Sequence, residues 1–561
     1  MAFQLSPGVL VTEKDLTAVV PAVATTAGGF AGAFQWGPVD QVTTVDSENM
    51  LVERFGKPND TVFKSFFTAA NFLAYGNNLQ LIRVVNKATA KNAATVGANA
   101  LLITNETTYT NTYADGSANL GEWAAKYPGA LGNSLKVSIA DANTFSNWYY
   151  TTLFDASPGT STYASDRGGL HDELHIIVLD ADGGWTGSAG TVLEKFPYVS
   201  KASDAKKADG TSAYYKDAVN TQSKYIWWMD HTANIAGSGS SWGSAARGTT
   251  FANLTSNVTV TLSGGVSADS PTDGNITSAM SVLANDELYD VLLLPVGAAS
   301  STVAAYAINS VAEIRKDCVV FISPDQNSVV NNAGNEITSI LNYRDALPST
   351  SYGVMDSGWK YQYDRYNDVY RWIPLNGDTA GLAARTDYLA DPWFSPAGYN
   401  RGQIKNVVKL AFSPGKTDRD LLYKKGVNPV ISSPGLGTVL YGDRTLLAKP
   451  SAFDRINVRR LFIVLEKAVA TASKFQLFEF NDAFTRAQFR NLVEPFLRDV
   501  QGRRGITGFK VVCDESNNTG EVIDRNEFVA DIYVKPARSI NFIQLNFVAT
   551  RSGISFEEIG A

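Results

Sequence analysis

Three short motifs in the sequence could carry chemistry, and the first matches the nucleophile elbow of serine hydrolases. The run Gly239-Ser240-Ser241-Trp242-Gly243 fits G-x-S-x-G, a pattern that is reactive where a sharp turn from a strand into a helix exposes the serine. Here it lies inside the Gly/Ser-rich run 235–248, where such a pattern arises by chance. We interpret it as a loop, and a hydrolase that uses Ser241 is the alternative hypothesis.

The second motif is a pair of histidines, His171 and His175, at the spacing of a zinc-binding helix. The zinc motif H-E-x-x-H needs its general-base glutamate at position 172, where this chain has Asp172. The residues after the pair, IIVLD, predict a strand, and residues four apart on a strand do not converge as they do on one helical turn. We therefore expect surface or loop histidines that bind no metal.

The third motif, Gly415-Lys416-Thr417, is similar to the end of a P-loop, whose glycine-rich backbone cradles phosphates before the lysine reaches them. Leu410 occupies the position of the first P-loop glycine, and only Ser413 and Pro414 separate the preceding apolar run from Gly415. That leaves no loop long enough to wrap a phosphate. The sequence predicts a polar turn here, so we expect no cofactor, no nucleotide-driven motor and no enzymatic activity.

The composition is typical of a multidomain globular protein. A chain of 561 residues is too long for one hydrophobic core. The formal net charge of −7 argues against a nucleic-acid partner that is held through many phosphates. The first residues lack a basic region followed by an apolar stretch, and the longest apolar run, 290–297, is too short to span a bilayer. We expect synthesis in the cytoplasm and no membrane insertion.

The two cysteines lie in apolar runs that predict buried strands. Cys318 begins the run CVVFI, and Cys513 ends the run KVVC. We predict inert core thiols, although the sequence alone leaves a disulfide between them open. Nothing in this usage is typical of the dense disulfide framework of a small secreted domain.

The first part of the chain predicts an α/β unit. A glycine-rich apolar stretch at 27–36 ends at the turn signal Gly37-Pro38 and precedes a strand at 42–45. Residues 61–75 place apolar side chains at helical spacing, and residues 79–85 predict a buried strand. Ahead of this unit, a short run predicts one strand without a sequence-local partner: Val9, Leu10, Val11 and Thr12.

The composition and hydrophobic pattern change in the middle of the chain. Residues 88–170 contain short alternating runs and many turn residues, which predict a β-rich insertion. Strand and helix patterns then alternate from 174 to 322, which predicts a second α/β domain. The last third predicts helices at 457–472 and 484–500 and a pair of strands near 528–534 and 543–548.

Several blocks of the sequence resemble the contractile tail sheath proteins of myovirus-type bacteriophages. The N-terminal blocks are LSPGVLVTEKD near the start, RFGKP at 54–58, YPGALGNSL at 127–135 and DELHIIVLDADGGWTGSAGTVLEKF at 172–196. The C-terminal blocks are WKYQYDRYNDVYRWIPLNGDTAGLAARTD at 359–387, PWFSPAGYNRGQI at 392–404, KKGVNP at 424–429, YGDRTL at 441–446, DRINVRRL at 454–461, FEFND at 478–482 and VKPARSINFIQLNF at 534–547. They cover most of the chain in the expected order, and the insertion at 88–170 and the loop near 240 match least.

The resemblance implies a multidomain fold of mixed α/β and α+β class. Its inner α/β core is formed by N-terminal and C-terminal parts of the chain, with an inserted α/β middle domain and a β-rich outer domain. The boundaries that we expect are 1–22 for an N-terminal strand-exchange arm, 23–87 for the first part of the core, 88–170 for the β-rich outer insertion domain, 171–345 for the α/β middle domain, 346–450 for the second part of the core, and 451–561 for a C-terminal tube-facing and interlocking domain.

The resemblance also implies a structural subunit of a virion. Such subunits polymerise as rings of six, stacked as a six-start helix around a tail tube, and contraction drives the tube through the host cell envelope for genome delivery. The implied partners are further copies of the chain, the tail tube protein, and the baseplate and tail terminator proteins. The sheath of a bacterial contractile injection system is the alternative, because it shares the fold and the mechanics.

In this family the chain ends add as strands to sheets of neighbouring subunits. A lone strand must find its ladder hydrogen bonds elsewhere, and the exposed edge of another chain supplies them. We expect this exchange to use Val9, Leu10, Val11, Thr12, Ile543, Leu545, Phe547, Ile554 and Phe556. Pairing of both ends with their own chain's sheet is the alternative.

The charge distribution predicts a tube-binding surface near the C-terminus. Residues 451–513 carry eleven Lys and Arg against six Asp and Glu, a net charge of +5, while the rest of the chain carries −12. On the predicted helix 484–500, one face is apolar, through Phe489, Leu492, Val493, Phe496 and Val500. We expect the tube to be bound by Arg486, Arg490, Arg498, Arg503 and Arg504. A solvent-exposed face with i,i+4 ion pairs, such as those of Glu494, is the alternative.

Overall fold

The computed structural model describes residues 25–97, 101–116, 120–235, 241–541 and 543–544. The chain divides into two compact units. The larger unit contains the described residues of 25–392 and 396–459, and the smaller unit contains 393–395 and the described residues from 460 onward.

Strands and helices are mixed along the whole described chain, which confirms the predicted α/β and α+β class. In chain order the strands are β1 (Gly28–Gly32), β2 (Val42–Val45), β3 (Leu79–Arg83), β4 (Trp123–Ala125), β5 (Leu135–Asp141), β6 (Glu173–Asp180), β7 (Thr191–Ser200), β8 (Ile226–Trp228), β9 (Val258–Thr261), β10 (Leu293–Pro295), β11 (Val319–Ile322), β12 (Gly353–Asp356), β13 (Trp359–Asp364), β14 (Val369–Pro374), β15 (Lys409–Leu410), β16 (Val427–Asn428), β17 (Val430–Ser433), β18 (Gly437–Leu440), β19 (Ile506–Val512) and β20 (Asp531–Pro536). The α-helices are α1 (Glu48–Phe55), α2 (Phe63–Leu73), α3 (Glu106–Thr112), α4 (Thr162–Ser165), α5 (Tyr215–Gln222), α6 (Asp273–Met280), α7 (Ser301–Tyr306), α8 (Glu313–Arg315), α9 (Gln326–Val329), α10 (Glu336–Asp345), α11 (Asn376–Leu389), α12 (Lys416–Lys424), α13 (Ile456–Ser473), α14 (Ala483–Gly502) and α15 (Gly520–Asp524). A π-helical turn, Ala307–Ala312, separates α7 from α8.

A seven-stranded sheet is the centre of the larger unit, in the order β16-β12-β11-β10-β1-β3-β2. All neighbours in it are parallel except the edge pair β2 and β3, which is antiparallel. The inner strands are continuous apolar or glycine-containing runs such as GGFAG and VVFI, which suits a parallel sheet that is buried on both faces. The sheet therefore joins strands from two distant parts of the sequence, before residue 84 and after residue 292.

Helix α11 packs against α2 because small residues of α11 let the two backbones come close together. A Cβ atom added at Gly377 would clash with the Thr68 carbonyl oxygen, and one added at Gly381 would lie 2.6 Å from the Tyr75 ring. Asn376, at the start of α11, bonds both backbone groups of Gly297, at 2.8 and 2.9 Å. These contacts fix α11 at the carboxyl end of β10.

Residues between β3 and α6 form two further sheets, a four-stranded one in the order β7-β6-β5-β9 and a two-stranded one of β4 and β8. Strand β5 pairs antiparallel with β6 from Leu135 opposite Asp180 to Asp141 opposite Leu174. The predicted domain boundary at 170/171 therefore separates two strands of one sheet, and β6 does not belong to an α/β domain. The boundary predicted at 345/346 likewise lies between β11 and β12 of the seven-stranded sheet.

The inserted segment leaves and re-enters the larger sheet at adjacent backbone. The Asn86 N–H donates to the Ala268 carbonyl at 3.1 Å, and Lys91 and Val266 exchange two backbone hydrogen bonds. Next to this point the buried Arg83 guanidinium donates to the carbonyl of Pro128 at 2.8 Å, and also to three carbonyls of the 34–37 turn. Entry and exit are thus tied to one another and to β3.

Both cysteines are buried thiols that form no disulfide, as the inert-core interpretation predicts. Cys318 immediately precedes β11 in the larger unit, and Cys513 immediately follows β19 in the smaller one. Among the described helices, none combines the length and the apolar character that crossing a bilayer requires.

Candidate assembly surfaces

Ser241 of the hydrolase motif is held by its own loop. Its hydroxyl oxygen accepts a hydrogen bond from the Ala252 N–H at 2.7 Å. His231 instead faces the Tyr215 hydroxyl, whose oxygen lies 2.5 Å from Nδ1. Gly239 and Ser240 lie outside the described residues. These contacts give the hydrolase hypothesis no support.

The two histidines of the zinc-like motif lie in different environments, one exposed and one buried. His171 is an exposed loop residue with a φ of 60°, as predicted. His175 is buried on β6, so the prediction of a surface or loop residue is wrong for it; its ring stacks on Phe154 at 4.1 Å. Its Nδ1 accepts from the Tyr198 N–H at 3.1 Å and its Nε2 bonds the Ala156 carbonyl at 3.0 Å, so both nitrogens are occupied. Desolvation lowers the pKa of His175.

The P-loop-like motif forms the N-terminus of α12. The Gly415 N–H donates to the Asp418 carboxylate at 3.1 Å, so a side chain of the same helix occupies the place that a phosphate would need. Leu410 lies on β15. Across the described residues, no group of three or more His, Cys, Asp and Glu side chains is placed to hold a metal ion.

The smaller unit is built on α14, whose apolar face packs into one core. The buried members on this helix are Phe489, Leu492, Val493, Leu497 and Val500. Four of them were predicted, Leu497 was missed, and Phe496 is only partly buried. The core also contains Trp393, whose indole N–H donates to the Arg503 carbonyl at 3.1 Å.

Arg486 belongs to this buried face and not to an exposed basic strip. Only 7% of the residue is exposed, and its guanidinium donates to the carbonyls of Asp482 at 3.2 Å and Asn518 at 3.5 Å. At about 100° per residue, Arg486 lies on the same side of the helix as Val493 and Leu497. The sequence prediction, which placed Arg486 on one exposed face with Arg490 and Arg498, is therefore wrong for Arg486.

The other predicted tube-binding arginines remain accessible to different degrees. Arg490 is half-buried, whereas Arg498, Arg503 and Arg504 are exposed. Arg498 lies 3.8 Å from Glu494 and Arg503 lies 3.6 Å from Asp499, both at i,i+4 spacing. Exposed pairs of this kind contribute little to stability, so they leave the arginines available to a partner of opposite charge.

The connection between α13 and α14, together with the first turn of α14, exposes several large apolar side chains that were not predicted as a surface. Their exposed fractions are 75% for Phe475, 64% for Leu477, 105% for Phe478, 84% for Phe480 and 76% for Phe484. Phe478 also adopts a φ of 70°, in the left-handed region that an aromatic residue rarely occupies. Exposed apolar patches are typical of interaction surfaces, and strained backbone is concentrated at functional sites. The density of aromatics around FEFND was the available signal.

Strands β19 and β20 form a two-stranded antiparallel sheet that packs against the same core as α14. They pair from Ile506 opposite Pro536 to Val512 opposite Asp531, with an irregularity near Gly508. In the described residues this sheet has two strands only, so each strand presents an outer edge. A two-stranded sheet is marginal alone and accepts further strands readily.

Most of the residues predicted for strand exchange lie outside the described residues. These are Val9, Leu10, Val11, Thr12, Leu545, Phe547, Ile554 and Phe556. Ile543 is described, is 77% exposed and belongs to no strand.

Three family models match the chain. Residues 26–84 match the N-terminal region of domain III of the tail sheath protein Gp18, residues 269–446 match the phage tail sheath protein central domain, and residues 448–550 match the phage tail sheath C-terminal domain. The first two ranges contain the strands of the seven-stranded sheet, and between them lies the segment that forms the separate antiparallel sheets.

Whole-chain comparisons agree with these matches. The tail sheath protein of Vibrio phage KVP40 is 35% identical, with 99% of each chain covered. The crystal structure of a sheath tail protein from Listeria innocua has the same fold, with a TM-score of 0.54, 10% identity and coverage of 92% of this chain and 96% of that one. The helical sheath of the anti-feeding prophage in its contracted state has a TM-score of 0.51 at 12% identity, over 98% and 100% of the two chains. The chain belongs to the phage tail sheath protein family.

Proposed function

We propose that this chain is the sheath subunit of a contractile phage tail. Copies stack as rings of six around a tail tube, bind the baseplate and the tail terminator at the two ends, and shorten together to push the tube through the host envelope. The chain acts as a structural protein of the virion tail and not as an enzyme. The observation that carries this proposal is likeness over the full length to a phage tail sheath protein.

Assembly by strand exchange is the first part of the proposed mechanism. The open edges of β19 and β20 would receive the N-terminal strand of one neighbour and the C-terminal strand of another, which makes a four-stranded sheet from three chains. Such sheets tie subunits through backbone hydrogen bonds while the rest of each subunit rotates. The open edges of β19 and β20 support this receiving sheet. The donated strands would contain Val9, Leu10, Val11 and Thr12 at one end of the chain, and Ile543, Leu545, Phe547, Ile554 and Phe556 at the other.

Strand exchange has a direct test. Replacing Val9 and Val11 with proline removes two ladder N–H groups, and we expect a folded monomer that does not polymerise. The matched control replaces the same two valines with threonine, which keeps the β propensity and the N–H groups. Normal sheath from the proline variant would refute this part of the mechanism.

Binding of the tube by exposed arginines is the second part. Arg498, Arg503 and Arg504, with the half-buried Arg490, form the accessible basic surface of the smaller unit. We propose that it contacts an acidic tube surface, because a charged contact can be released when the sheath widens. Charge reversal of Arg498 and Arg504 to glutamate should abolish co-sedimentation with tube, whereas Arg525→Glu, a 57% exposed side chain paired with Glu527, should not. Equal loss in both variants would reject the basic surface.

The experiment that tests the whole proposal is electron microscopy of the purified protein. Hollow polymers of sheath diameter, at concentrations where unrelated proteins stay dispersed, support it. A chain that remains a monomer under all conditions, with and without tube, counts against it. The variant Ser241→Ala should polymerise and infect as the wild type does; a loss of activity on a polymer substrate with normal assembly would revive the hydrolase hypothesis.

A bacterial contractile injection system is the second candidate. Its support is the fold shared with the helical sheath of the anti-feeding prophage over nearly the whole chain. The phage relative is much closer in sequence, which favours the phage tail. Recovery of the protein from particles with a DNA-filled head would decide for the phage.

A further inference from the structure

The hairpin of β13 and β14 has its polar and apolar faces inverted. Side chains alternate between the two faces of a strand, so Lys360, Gln362 and Asp364 share one face. Tyr361 and Tyr363 share the other with Trp359, which is buried at the start of the strand. The polar face is the buried one: the three polar residues are exposed by 0%, 6% and 0%. A hairpin that only had to stabilise its own fold would place its aromatic residues inward.

The buried polar face carries two ion pairs, while the side-chain oxygen of Gln362 on the same face has no hydrogen-bond partner among the described residues. The Lys360 ammonium lies 2.9 Å from the Asp378 carboxylate of α11. Arg371, opposite Gln362, donates through Nε to Asp364 at 2.7 Å. Turning the hairpin over would break the buried Lys360–Asp378 pair and the Arg371–Asp60 pair, which join the hairpin to other parts of the chain. The outward placement of the aromatic residues is therefore fixed.

The outward face forms a continuous aromatic surface. Tyr361 pairs directly with Trp372, with ring centroids 4.7 Å apart, and Tyr363 pairs with Tyr370 at 5.2 Å. Tyr361 also stacks on Tyr370 at 5.6 Å, which joins the two pairs. The Lys409 ammonium of β15 lies 5.1 Å from the Tyr361 ring and 5.6 Å from that of Trp372. We call these five residues the aromatic face.

Exposed tyrosine and tryptophan side chains are typical of surfaces that bind proteins. Tyrosine and tryptophan are enriched in interface cores and among the residues that contribute most to binding. Tyr363 and Tyr370 are exposed by 44% and 52%, and Lys409 is also exposed. The aromatic face thus offers apolar area and one cation to a partner.

We infer that the aromatic face binds a second copy of this chain, at the loop 285–290 between α6 and β10. A helical polymer uses head-to-tail contacts, in which two different patches of the same chain are complementary. This inference rests on the proposed sheath function, because that function supplies the polymer.

The loop 285–290 has the complementary chemistry. Leu288 is exposed by 70%, and its neighbours Asp286 and Glu287 are also exposed. The nearby helix α8 exposes Ile314 by 65%. The Arg315 guanidinium donates to the carbonyls of Leu283 at 2.8 Å and Val291 at 3.4 Å, on either side of the loop, and so braces it. The patch offers two apolar side chains and two carboxylates to the rings and to Lys409.

Radical footprinting of the wild-type chain tests the inference without a substitution. Oxidation of Tyr363, Tyr370 and Trp372 is compared by mass spectrometry in the monomer and in sheath assembled without tube. We expect oxidation of these rings to fall by about half or more in the polymer, because the packed centre of an interface excludes water. Tyr149, a tyrosine of the inserted segment that is exposed by 87%, is the reference and should not be protected to that extent.

Charge exchange tests the partner patch. Lys409→Glu should raise the concentration needed for polymerisation by about tenfold, as loss of a central charged contact does. Adding Asp286→Lys and Glu287→Lys to that variant should restore it, because the pair is then reversed. Lys425→Glu, at a side chain that is exposed by 51%, is the matched control and should leave assembly unchanged.

The outcomes separate this inference from the sheath function. Polymers whose aromatic faces stay as reactive as in the monomer overturn the inference and leave the sheath function intact. Protection that appears only when tube is added assigns the face to the tube protein and also overturns the inference. A protein that never polymerises overturns the sheath function itself.

Discussion

The ammonium of Lys360 and the carboxylate of Asp378 lie 2.9 Å apart with side-chain exposures of 0% and 1%. The Tyr75 hydroxyl donates to the same carboxylate oxygen at 3.1 Å. Strand β13, helix α11 and the end of helix α2 thus meet at one buried carboxylate, which makes the pair a junction of the larger unit.

Removing one partner of this pair should be strongly destabilising. We expect Asp378→Ala to lower the free energy of unfolding by about 3–5 kcal/mol, because it leaves a buried ammonium without its counter-charge. The double variant with Lys360→Met should recover much of the loss. Lys425→Met, which removes one partner of an exposed pair with Asp345, should cost less than about 1 kcal/mol. Urea unfolding measures all four proteins, and equal losses in the buried and exposed pairs would contradict the account.

The close approach of α11 and α2 should not tolerate a methyl group. Gly377→Ala places its Cβ against the Thr68 carbonyl, which is backbone and cannot rotate away, so we expect a loss of about 1–3 kcal/mol. Gly274→Ala, in α6, meets nothing nearer than 3.8 Å and should be neutral or stabilise by up to about 1 kcal/mol. Thermal unfolding of the two variants measures the difference, and a stable Gly377→Ala variant would show that the helices can separate.

Acid should loosen the sheet that contains His175. Desolvation lowers the pKa of this histidine below the value of about 6.5 of the unfolded chain, and the nearby Asp155 opposes the shift without reversing it. The unfolded chain therefore binds more protons between the two values. Stability is complete above about pH 6.5 and declines as the pH falls to the folded-state pKa, by at most about 1.4 kcal/mol per pH unit.

Hydrogen exchange of β6 and β7 at pH 7.5 and pH 5 measures this decline. His175→Gln should remove the pH dependence, because glutamine can accept from the Tyr198 N–H without titrating. His171→Gln, at the exposed histidine of the same motif, should keep it. An acid response that persists in His175→Gln would assign the titration to another group.

The two kinds of arginine on α14 should behave differently. Arg486→Ala leaves the Asn518 carbonyl without its donor inside the smaller unit, and we expect a loss of about 1–3 kcal/mol in stability. Arg498→Ala removes a side chain that is exposed by 72% and should change stability by less than about 0.5 kcal/mol. Denaturant unfolding compares them, and a neutral Arg486→Ala would place this arginine back on the surface.

Replacing Phe478 should make the monomer more stable and weaken assembly. Its φ of 70° favours glycine, and its ring is fully exposed, so Phe478→Gly should stabilise the monomer by about 1 kcal/mol while weakening polymerisation. Phe475→Gly removes another exposed ring, from a short helical turn with ordinary φ, and should bring no such gain. Melting temperature and the concentration needed for assembly are the two measurements. A Phe478→Gly variant that assembles normally would show that this residue is not at an interface.

The sequence predicted a helix or strand well where the apolar spacing within that element was sufficient to specify it. The strand Val42–Val45 has the predicted bounds, and α2 and α14 lie within two residues of the predicted ends. Within the predicted strand and helix alternation of 174–322, the helical segment from α7 to α8 is interrupted by a π-helical turn, a change of hydrogen bonding that side-chain periodicity does not record. Strand β6 was found from its apolar run, but its antiparallel partner β5 lies 32 residues away or more, and no local signal specifies such a pairing.

The assembly surfaces were predictable in part. The basic surface of α14 follows from charge counting, but charge alone does not predict that Arg486 is buried, because its carbonyl partner at Asn518 lies 32 residues away. The aromatic face was visible in the sequence as WKYQYD followed by VYRWIP, an alternation that predicts two strands. The alternation does not reveal which face is buried, because Lys360 is inward only through its pair with Asp378 of helix α11.

The hydrogen bond between Asn86 and Ala268 lets a whole segment vary without disturbing the strands beside it. Because both ends of that segment are neighbours, its contents can lengthen, shorten or be replaced while the spacing that the seven-stranded sheet requires stays the same. The junction at Asn86 and Ala268 is therefore a natural place to insert a foreign domain.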